Sequence, residues 1–206
     1  MRRSFVASTI GALALASSAH AAVVFSTGSI TPLRNVHSDG TQGPATTVLG
    51  SLVTSGDVTF TSSSNLTTNG NGVAQINGPW SSITYGMTDH TGILVTDFSV
   101  DTKGKCRGCV VNFDALLVGG GDITGSLSYP GADTKYYAQA SGGDLIDRLT
   151  ISVMQATGAP VSVDSLRQVK IGLAGGIPEP ATWAMMIFGL GAIGVGLRMR
   201  GDLARA

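Results

Sequence analysis

Residues 22–174 contain no glutamate and few lysines, and they are rich in glycine, serine, threonine and valine. These residue types make poor amphipathic helices, whereas valine and threonine favour strands and glycine favours turns. Short runs that alternate apolar and polar residues recur between turn signals, at residues 48–53, 58–61, 73–76, 83–87, 93–100, 110–117, 123–129, 145–153 and 169–173. Roughly nine or ten strands predict an all-β fold, a two-sheet β-sandwich of jelly-roll type. A β-solenoid is the alternative, although no fixed sequence period is visible.

The first 21 residues have the organisation of a secretory signal peptide. Two arginines follow Met1, an apolar stretch runs over residues 5–16, and Ala19-His20-Ala21 supplies an A-x-A cleavage site. The predicted cut lies between Ala21 and Ala22. The apolar stretch is too short to span a bilayer comfortably, which argues against a retained anchor. We therefore expect export through the Sec translocon and cleavage by signal peptidase.

Near the other end, residues 183–197 carry no charged side chain. At about 1.5 Å per residue, a helix over this segment reaches about 22 Å, against a hydrocarbon core of about 30 Å. Trp183 suits the outer interface, while Arg198 and Arg200 can snorkel at the inner one. This pattern predicts a single transmembrane helix in the inner membrane whose basic tail is cytoplasmic. A buried core helix is the alternative.

The residues around this segment resemble a known sorting signal. Pro178-Glu179-Pro180 is followed by two residues, then by Trp183-Ala184, a glycine-rich apolar span, Arg198 and Arg200. This tail resembles the PEP-CTERM sorting domain, in its PEPxxWA variant, of exported proteins from Gram-negative bacteria that make extracellular polysaccharide. The resemblance implies an exosortase, a polytopic transpeptidase-like membrane enzyme, as the partner. It also implies processing near Pro-Glu-Pro and passage of the ectodomain toward the cell surface.

The ectodomain carries a looser resemblance. Residues 58–76, Thr96-Asp97-Phe98 and residues 165–173 are similar to domains found upstream of this sorting signal. That similarity implies a β-sandwich of unassigned activity. The predicted organisation is a signal peptide, a β-sandwich ectodomain, a linker with the Pro-Glu-Pro signature, a transmembrane helix and a basic cytoplasmic tail, at residues 1–21, 22–174, 175–182, 183–197 and 198–206.

The two cysteines of the chain are Cys106 and Cys109. In an exported protein, a C-x-x-C across a glycine-containing turn favours a local disulfide. A redox-active dithiol, a zinc half-site and free thiols are the alternatives. Neither His37 nor His90 has a metal-ligand spacing to the pair.

No catalytic arrangement is recognisable in the ectodomain. Asp89 and His90 are adjacent, so in a strand they would point to opposite faces. A glycosidase needs two facing carboxylates, whereas the aspartates here are scattered. No cofactor is expected; calcium is the alternative, although no EF-hand or nonapeptide loop is present. Its candidate ligands are the pairs Asp97 with Asp101 and Asp144 with Asp147.

The leading hypothesis is a non-enzymatic, exported cell-surface or extracellular-matrix protein associated with exopolysaccharide or biofilm. The ectodomain is mildly acidic, which argues against a nucleic-acid partner. One alternative is a polysaccharide-binding β-sandwich module, with candidate stacking residues Trp80, Tyr85, Tyr136 and Tyr137. The other is a periplasmic redox protein that uses Cys106 and Cys109. Thr59 with Thr61 and Thr67 with Thr68 do not predict a long regular threonine ladder.

Overall fold

The computed structural model describes residues 22–174, except residues 31, 32, 39, 54, 55, 71, 105, 107 and 133. The predicted signal peptide, linker, transmembrane helix and basic tail lie outside these described residues. Strands dominate the described chain, and no helix occurs among its residues. The prediction of an all-β fold is therefore confirmed.

The described residues form fourteen strands, and their pairings are antiparallel. In chain order they are β1 Ala22–Thr27, β2 Arg34–Asn35, β3 His37–Ser38, β4 Ala45–Leu52, β5 Gly56–Thr68, β6 Gly72–Val73, β7 Gln75–Trp80, β8 Ser82–Met87, β9 Val95–Asp101, β10 Cys109–Leu117, β11 Asp122–Tyr129, β12 Lys135–Ser141, β13 Ile146–Met154 and β14 Val163–Gly172.

These strands make one sheet that curls back on itself, close to a barrel. One half has the order β1-β12-β9-β14-β7, and the other has the order β5-β8-β13-β10-β11, with β4 beyond β5. The long strand β5 joins the halves, because residues 58–62 pair with β8 whereas Thr67 and Thr68 pair with β7. On the opposite side, β1 contacts β11 without pairing to it.

Four of the antiparallel pairs are nested inside one another along the chain. β10 pairs with β11, β9 with β12, β8 with β13, and β7 with β14. The innermost pair turns through three consecutive glycines, each with φ 98°, a conformation that side chains rarely adopt. The chain from β7 to β14 therefore has the topology of one long hairpin wrapped around a core.

An aromatic cluster fills the core between the two halves. Phe98 on β9 is 1% exposed, and its ring centroid lies 6.1 Å from those of Tyr85, Phe113 and Tyr136. The Tyr85 hydroxyl donates to the Thr96 hydroxyl at 2.8 Å, and Thr96 donates onward to the Lys170 carbonyl at 2.9 Å. Because a buried hydroxyl is costly unless it is hydrogen-bonded, this relay allows tyrosine inside the core.

Two longer strands, β1 and β12, are not among the sequence-predicted runs, and their composition explains why. The inward positions of β12 include Ala138 and Ala140, which are 0% and 2% exposed. Alanine gives a weak hydrophobic alternation signal. In register, Phe25 lies opposite Ala138 and Val23 lies opposite Ala140, so β1 supplies the bulk that β12 lacks.

Strand β14 contains an irregularity that alternation does not predict. Gln168 has φ 53°, and the register with β9 shifts between Arg167 and Lys170. This bulge buries both Leu166 and Val169, each 0% exposed, although they are three residues apart. The alternating run at residues 169–173 is therefore only the second part of a longer strand.

Burial raises the pKa of the Tyr85 and Tyr136 phenols above their ordinary value of 10.0. Their stabilising contribution is therefore complete below about pH 10 and is lost as the pH rises further. In an alkaline titration, we expect their tyrosinate absorbance to appear only together with loss of β-structure. Tyr85→Phe and Tyr136→Phe should each reduce that coupled absorbance step. Ionisation of either residue before the β-structure is lost would contradict this prediction.

Candidate functional site

The sorting signature lies beyond the described residues, but the structure limits where it can reach. β14 ends at Gly172, six positions before Pro178. An extended chain spans at most about 3.6 Å per residue, so Pro178 lies within about 22 Å of the end of β14. The end of β14 lies between β9 and β2, because Lys170 and Ile171 pair with β2 while Gly172 pairs with Val95.

Within the described residues there is no helix with the length and apolarity of a membrane span. The predicted span at residues 183–197, with Trp183, Arg198 and Arg200, lies outside them. The predicted cleavage residues Ala19 and Ala21 also lie outside, whereas Ala22 is the first residue of β1.

Cys106 and Cys109 form a disulfide, with their Cα atoms 5.9 Å apart. Cys109 opens β10, is 1% exposed and lies opposite Tyr129 in register. The Tyr129 hydroxyl accepts from the Thr102 amide at 3.2 Å and so connects β11 to the end of β9. Cys109 is buried and the half-buried Cys106 packs against the core, so the contacts of the pair favour a structural disulfide at the β9–β10 connection.

The two histidines of the described chain have different surroundings. His37 lies in β3 and pairs with Ser51 and Val73 through the backbone. The His90 Nδ1 atom lies 2.7 Å from Asp147 Oδ1, so its carboxylate partner is Asp147 and not the adjacent Asp89.

Asp89 has a local role in the same turn. It accepts hydrogen bonds from the Thr91 amide at 3.2 Å and from the Thr91 hydroxyl at 2.9 Å. These bonds, above all the one from the hydroxyl, lower the pKa of the exposed Asp89 carboxyl. Asp89 therefore closes the turn after β8, whereas Asp147 contacts the His90 ring.

The candidate calcium ligands face cations. Asp97 is 1% exposed; it accepts from the Ser29 hydroxyl at 2.5 Å and lies 3.9 Å from the Lys170 ammonium. Asp101 Oδ2 lies 2.6 Å from an Arg167 guanidinium nitrogen. Among the described residues, no group of three His, Cys, Asp or Glu side chains could hold a metal ion.

The second candidate pair is also engaged, at least in part. Asp147 lies between His90 and Arg148, whose Nε is 3.5 Å from Asp147 Oδ2. The amide of Asp144 donates to the Ser141 carbonyl at 3.4 Å, within the turn after β12. These contacts give three of the four carboxylates a cationic neighbour already.

Three of the four aromatic residues predicted to stack on sugars are core residues. Trp80 and Tyr136 are 0% exposed, and Tyr85 is 1% exposed. Only Tyr137 of this group reaches the surface, and it is half-buried. The prediction of an aromatic sugar platform is therefore wrong for these three, because a small β domain uses its large rings to fill its core.

The outward side of the second half carries rows of small polar side chains that the sequence analysis missed. In register across six strands stand Thr47, Thr61, Thr84, Thr150, Asp114 and Thr124. Beside this row, across four strands, stand Ser82, Ser152, Asn112 and Ser126. Eight of these ten residues carry a hydroxyl, and we call the ten the hydroxyl face.

Two hydrogen-bonded pairs of hydroxyls lie on the hydroxyl face. The hydroxyls of Thr84 and Thr150 lie 2.8 Å apart, and those of Thr47 and Thr61 lie 3.4 Å apart. Neighbouring rows and strands repeat at about 6.8 Å and about 4.8 Å respectively, the spacings of a pleated sheet. The face is therefore a regular grid of donors and acceptors with little net charge.

Two shallow depressions lie on this grid. One of about 400 Å³ is bordered by Thr59, Thr61, Thr84, His90 and Arg148. Its floor includes Gly86, where a Cβ would clash with the Asp147 carbonyl. The other, of about 560 Å³, is bordered by Asn112, Asp114, Thr124, Ser126 and Ser152.

Alternating threonine and serine along single strands gave a signal for this face, for example Thr59 with Thr61 and Thr124 with Ser126. Their alignment across strands depends on pairing register, which a single sequence does not reveal. The pair Thr67 and Thr68 is not part of this face. Thr68 is 3% exposed, and its hydroxyl accepts a hydrogen bond from the Gln42 amide at 2.8 Å.

Residues 176–200 match the model of the PEP-CTERM protein-sorting motif. The match confirms the resemblance seen at Pro178-Glu179-Pro180 and Trp183-Ala184. No curated protein and no solved structure matches the chain.

Proposed function

We propose that this chain, which carries a PEP-CTERM sorting motif, is sorted by an exosortase to the cell surface and works there as a non-enzymatic surface or matrix protein. The sorting motif is the observation that carries the proposal. The compact β domain that precedes the motif is the part delivered to the surface.

The proposed route begins with cleavage between Ala21 and Ala22, after export through the Sec translocon. It continues with a transient inner-membrane stage, in which residues 183–197 hold the ectodomain on the periplasmic side. Exosortase processing near Glu179 then releases the domain toward the surface.

We also propose that the described domain is a jelly-roll β-sandwich. Jelly rolls contain eight strands in two sheets with Greek-key connections. The nested pairs from β7–β14 to β10–β11 support this assignment, as does the division of these eight strands into β12-β9-β14-β7 and β8-β13-β10-β11.

The proposal includes neither catalysis nor a resident metal. Asp97, Asp101 and Asp147 each face a cationic or ionisable basic side chain, and Cys109 is buried in a disulfide. Each of these side chains is therefore engaged in a structural contact. We therefore assign the redox alternative at Cys106 and Cys109 no part in the function.

The hydroxyl face favours a second function, binding of a neutral polysaccharide. Its ordered hydroxyls and two adjoining depressions offer many weak hydrogen bonds to a hydroxyl-rich chain. Charged residues are few on the face, and Arg148 beside it already lies against Asp147. A neutral polymer therefore fits this surface better than a strongly charged one.

The surface role is tested by locating the mature chain in its own host. Antibody labelling of intact cells, with fractionation of cells, matrix and medium, should find it on the surface or in the matrix. Recovery only from the periplasm would contradict the proposal.

Polysaccharide binding is tested with the double variant Thr84→Val and Thr150→Val. The two hydroxyls bond each other, so removing both leaves no unpaired partner. Loss of two ligand hydrogen bonds should weaken retention on the host's exopolysaccharide about tenfold. The exposed Thr157→Val is the matched control and should bind normally. Equal retention of the double variant and the wild type would rule out this face as the binding site.

A further inference from the structure

Strand β1 is less embedded than the neighbouring strands β12 and β9. Among the described strands it pairs with β12 alone. None of its six residues is buried, and Val24 is 52% exposed. In contrast, all seven residues of β9, on the other side of β12, are buried. β1 is therefore held by one hydrogen-bonded edge and by a few side chains.

Those side chains fill a specific groove. The Phe25 ring stacks on the Phe113 ring, with centroids 5.1 Å apart and an interplanar angle of 10°. It also occupies the space that a side chain at Gly125 would need. Without β1, the edge of β12 and the apolar surface around Phe113 and Gly125 would be exposed to water, where unpaired edges and apolar grooves recruit other strands.

The connection after β1 is built for a sharp change of direction. Gly28 has φ 125°, a conformation that favours glycine, and its amide donates to the Lys135 carbonyl at 2.9 Å. Ser29 then anchors to Asp97 by its hydroxyl at 2.5 Å. Rotation at Gly28 would redirect β1 away from its own domain while the rest of the sheet kept its pairings.

We propose that β1 exchanges between copies of this chain, so that β1 of one molecule pairs with β12 of another. In the structure, Phe25 of β1 fills the groove beside Phe113 and Gly125. A second copy of the chain carries the same strand, so its β1 can fill this groove in the same way. The exchanged form keeps the ladder from Ala22–Ser141 to Thr27–Tyr136 and the Phe25–Phe113 stack. Since both forms make the same contacts, the balance depends on the connection at Gly28 and on protein concentration. This assembly does not depend on polysaccharide binding.

A disulfide trap between separate molecules tests the exchange. Val24 lies directly opposite Gln139 in register, and both are exposed, so cysteines at these positions should not disturb the core. Opposed residues in an antiparallel pair are within disulfide reach. Exported protein purified with Val24→Cys is mixed with a differently tagged Gln139→Cys protein and incubated in a glutathione buffer. Cross-linked peptides are then identified by mass spectrometry without reduction.

The matched control replaces Gln139→Cys with Val53→Cys, because Val53 is 81% exposed and follows β4, which does not pair with β12. We expect Val24–Gln139 interchain cross-links at least about tenfold above Val24–Val53 cross-links, as the proximity within a ladder raises effective concentration. A single chain with both Val24→Cys and Gln139→Cys checks that the register permits the bond. If that chain cross-links internally while the mixed proteins show only the control yield, β1 stays in its own molecule and the proposal is wrong.

Discussion

Glu179→Gln is expected to block most of the maturation of the protein. Glu179 is the single glutamate of the chain and lies at the centre of the Pro-Glu-Pro signature within the matched residues 176–200. The substitution keeps the size of the side chain and removes its charge. Hydrogen bonds to a carboxylate contribute about 1.5–3 kcal/mol, so we expect the mature form to fall to about a tenth of the wild-type amount or less.

Asp202→Asn is the matched control for this experiment. It removes one negative charge from the same C-terminal region but lies outside the matched residues. We expect its processing to be normal when both variants are followed by immunoblot and intact mass. Wild-type amounts of the mature form from Glu179→Gln would show that the carboxylate is not part of the recognition.

Phe98→Ala is expected to cause a large loss of stability, because it truncates a ring in the middle of the aromatic cluster. Phe98 is 1% exposed and contacts rings from three other strands. Truncation removes these contacts and leaves a cavity, which typically lowers the free energy of unfolding by about 3–5 kcal/mol. Urea unfolding followed by circular dichroism measures the change.

Phe25→Ala is the comparison within the same cluster. Phe25 stacks on Phe113 but belongs to β1, where no residue is buried. Truncating Phe25 removes less buried apolar surface than truncating Phe98, so the free energy of unfolding should fall by only about 1–2 kcal/mol. Equal costs at Phe98 and Phe25 would mean that β1 is as firmly embedded as β9, against the description of β1 as a detachable strand.

Much of the strand pattern followed from the sequence because alternation reports one-sided burial. The runs at residues 83–87 and 110–117 correspond to β8 and β10, where Ile83, Tyr85, Val111 and Phe113 face the core. Strand β12 was not predictable in this way, because its inward alanines depend on β1 for bulk. The bulge at Gln168 was also hidden, since it shifts the alternation in the middle of a strand.

The candidate sites also differ in how well the sequence alone identifies them. The sorting motif is read from contiguous residues, so the sequence was sufficient to identify it. The hydroxyl face consists of residues as far apart as Thr47 and Thr150, brought into one row by strand register. The aromatic residues did not predict a sugar site correctly, because the sequence does not distinguish a ring on the surface from one in the core, as the buried Trp80 shows.

The central claim is that an exosortase carries this protein to the cell surface. The most direct test is to express the full chain in its native host, with and without the exosortase, and to measure the intact mass and location of the product. The account predicts a shortened chain at the surface only when the enzyme is present. A full-length chain that stays in the inner membrane of both strains would contradict it and would make the tail a simple anchor.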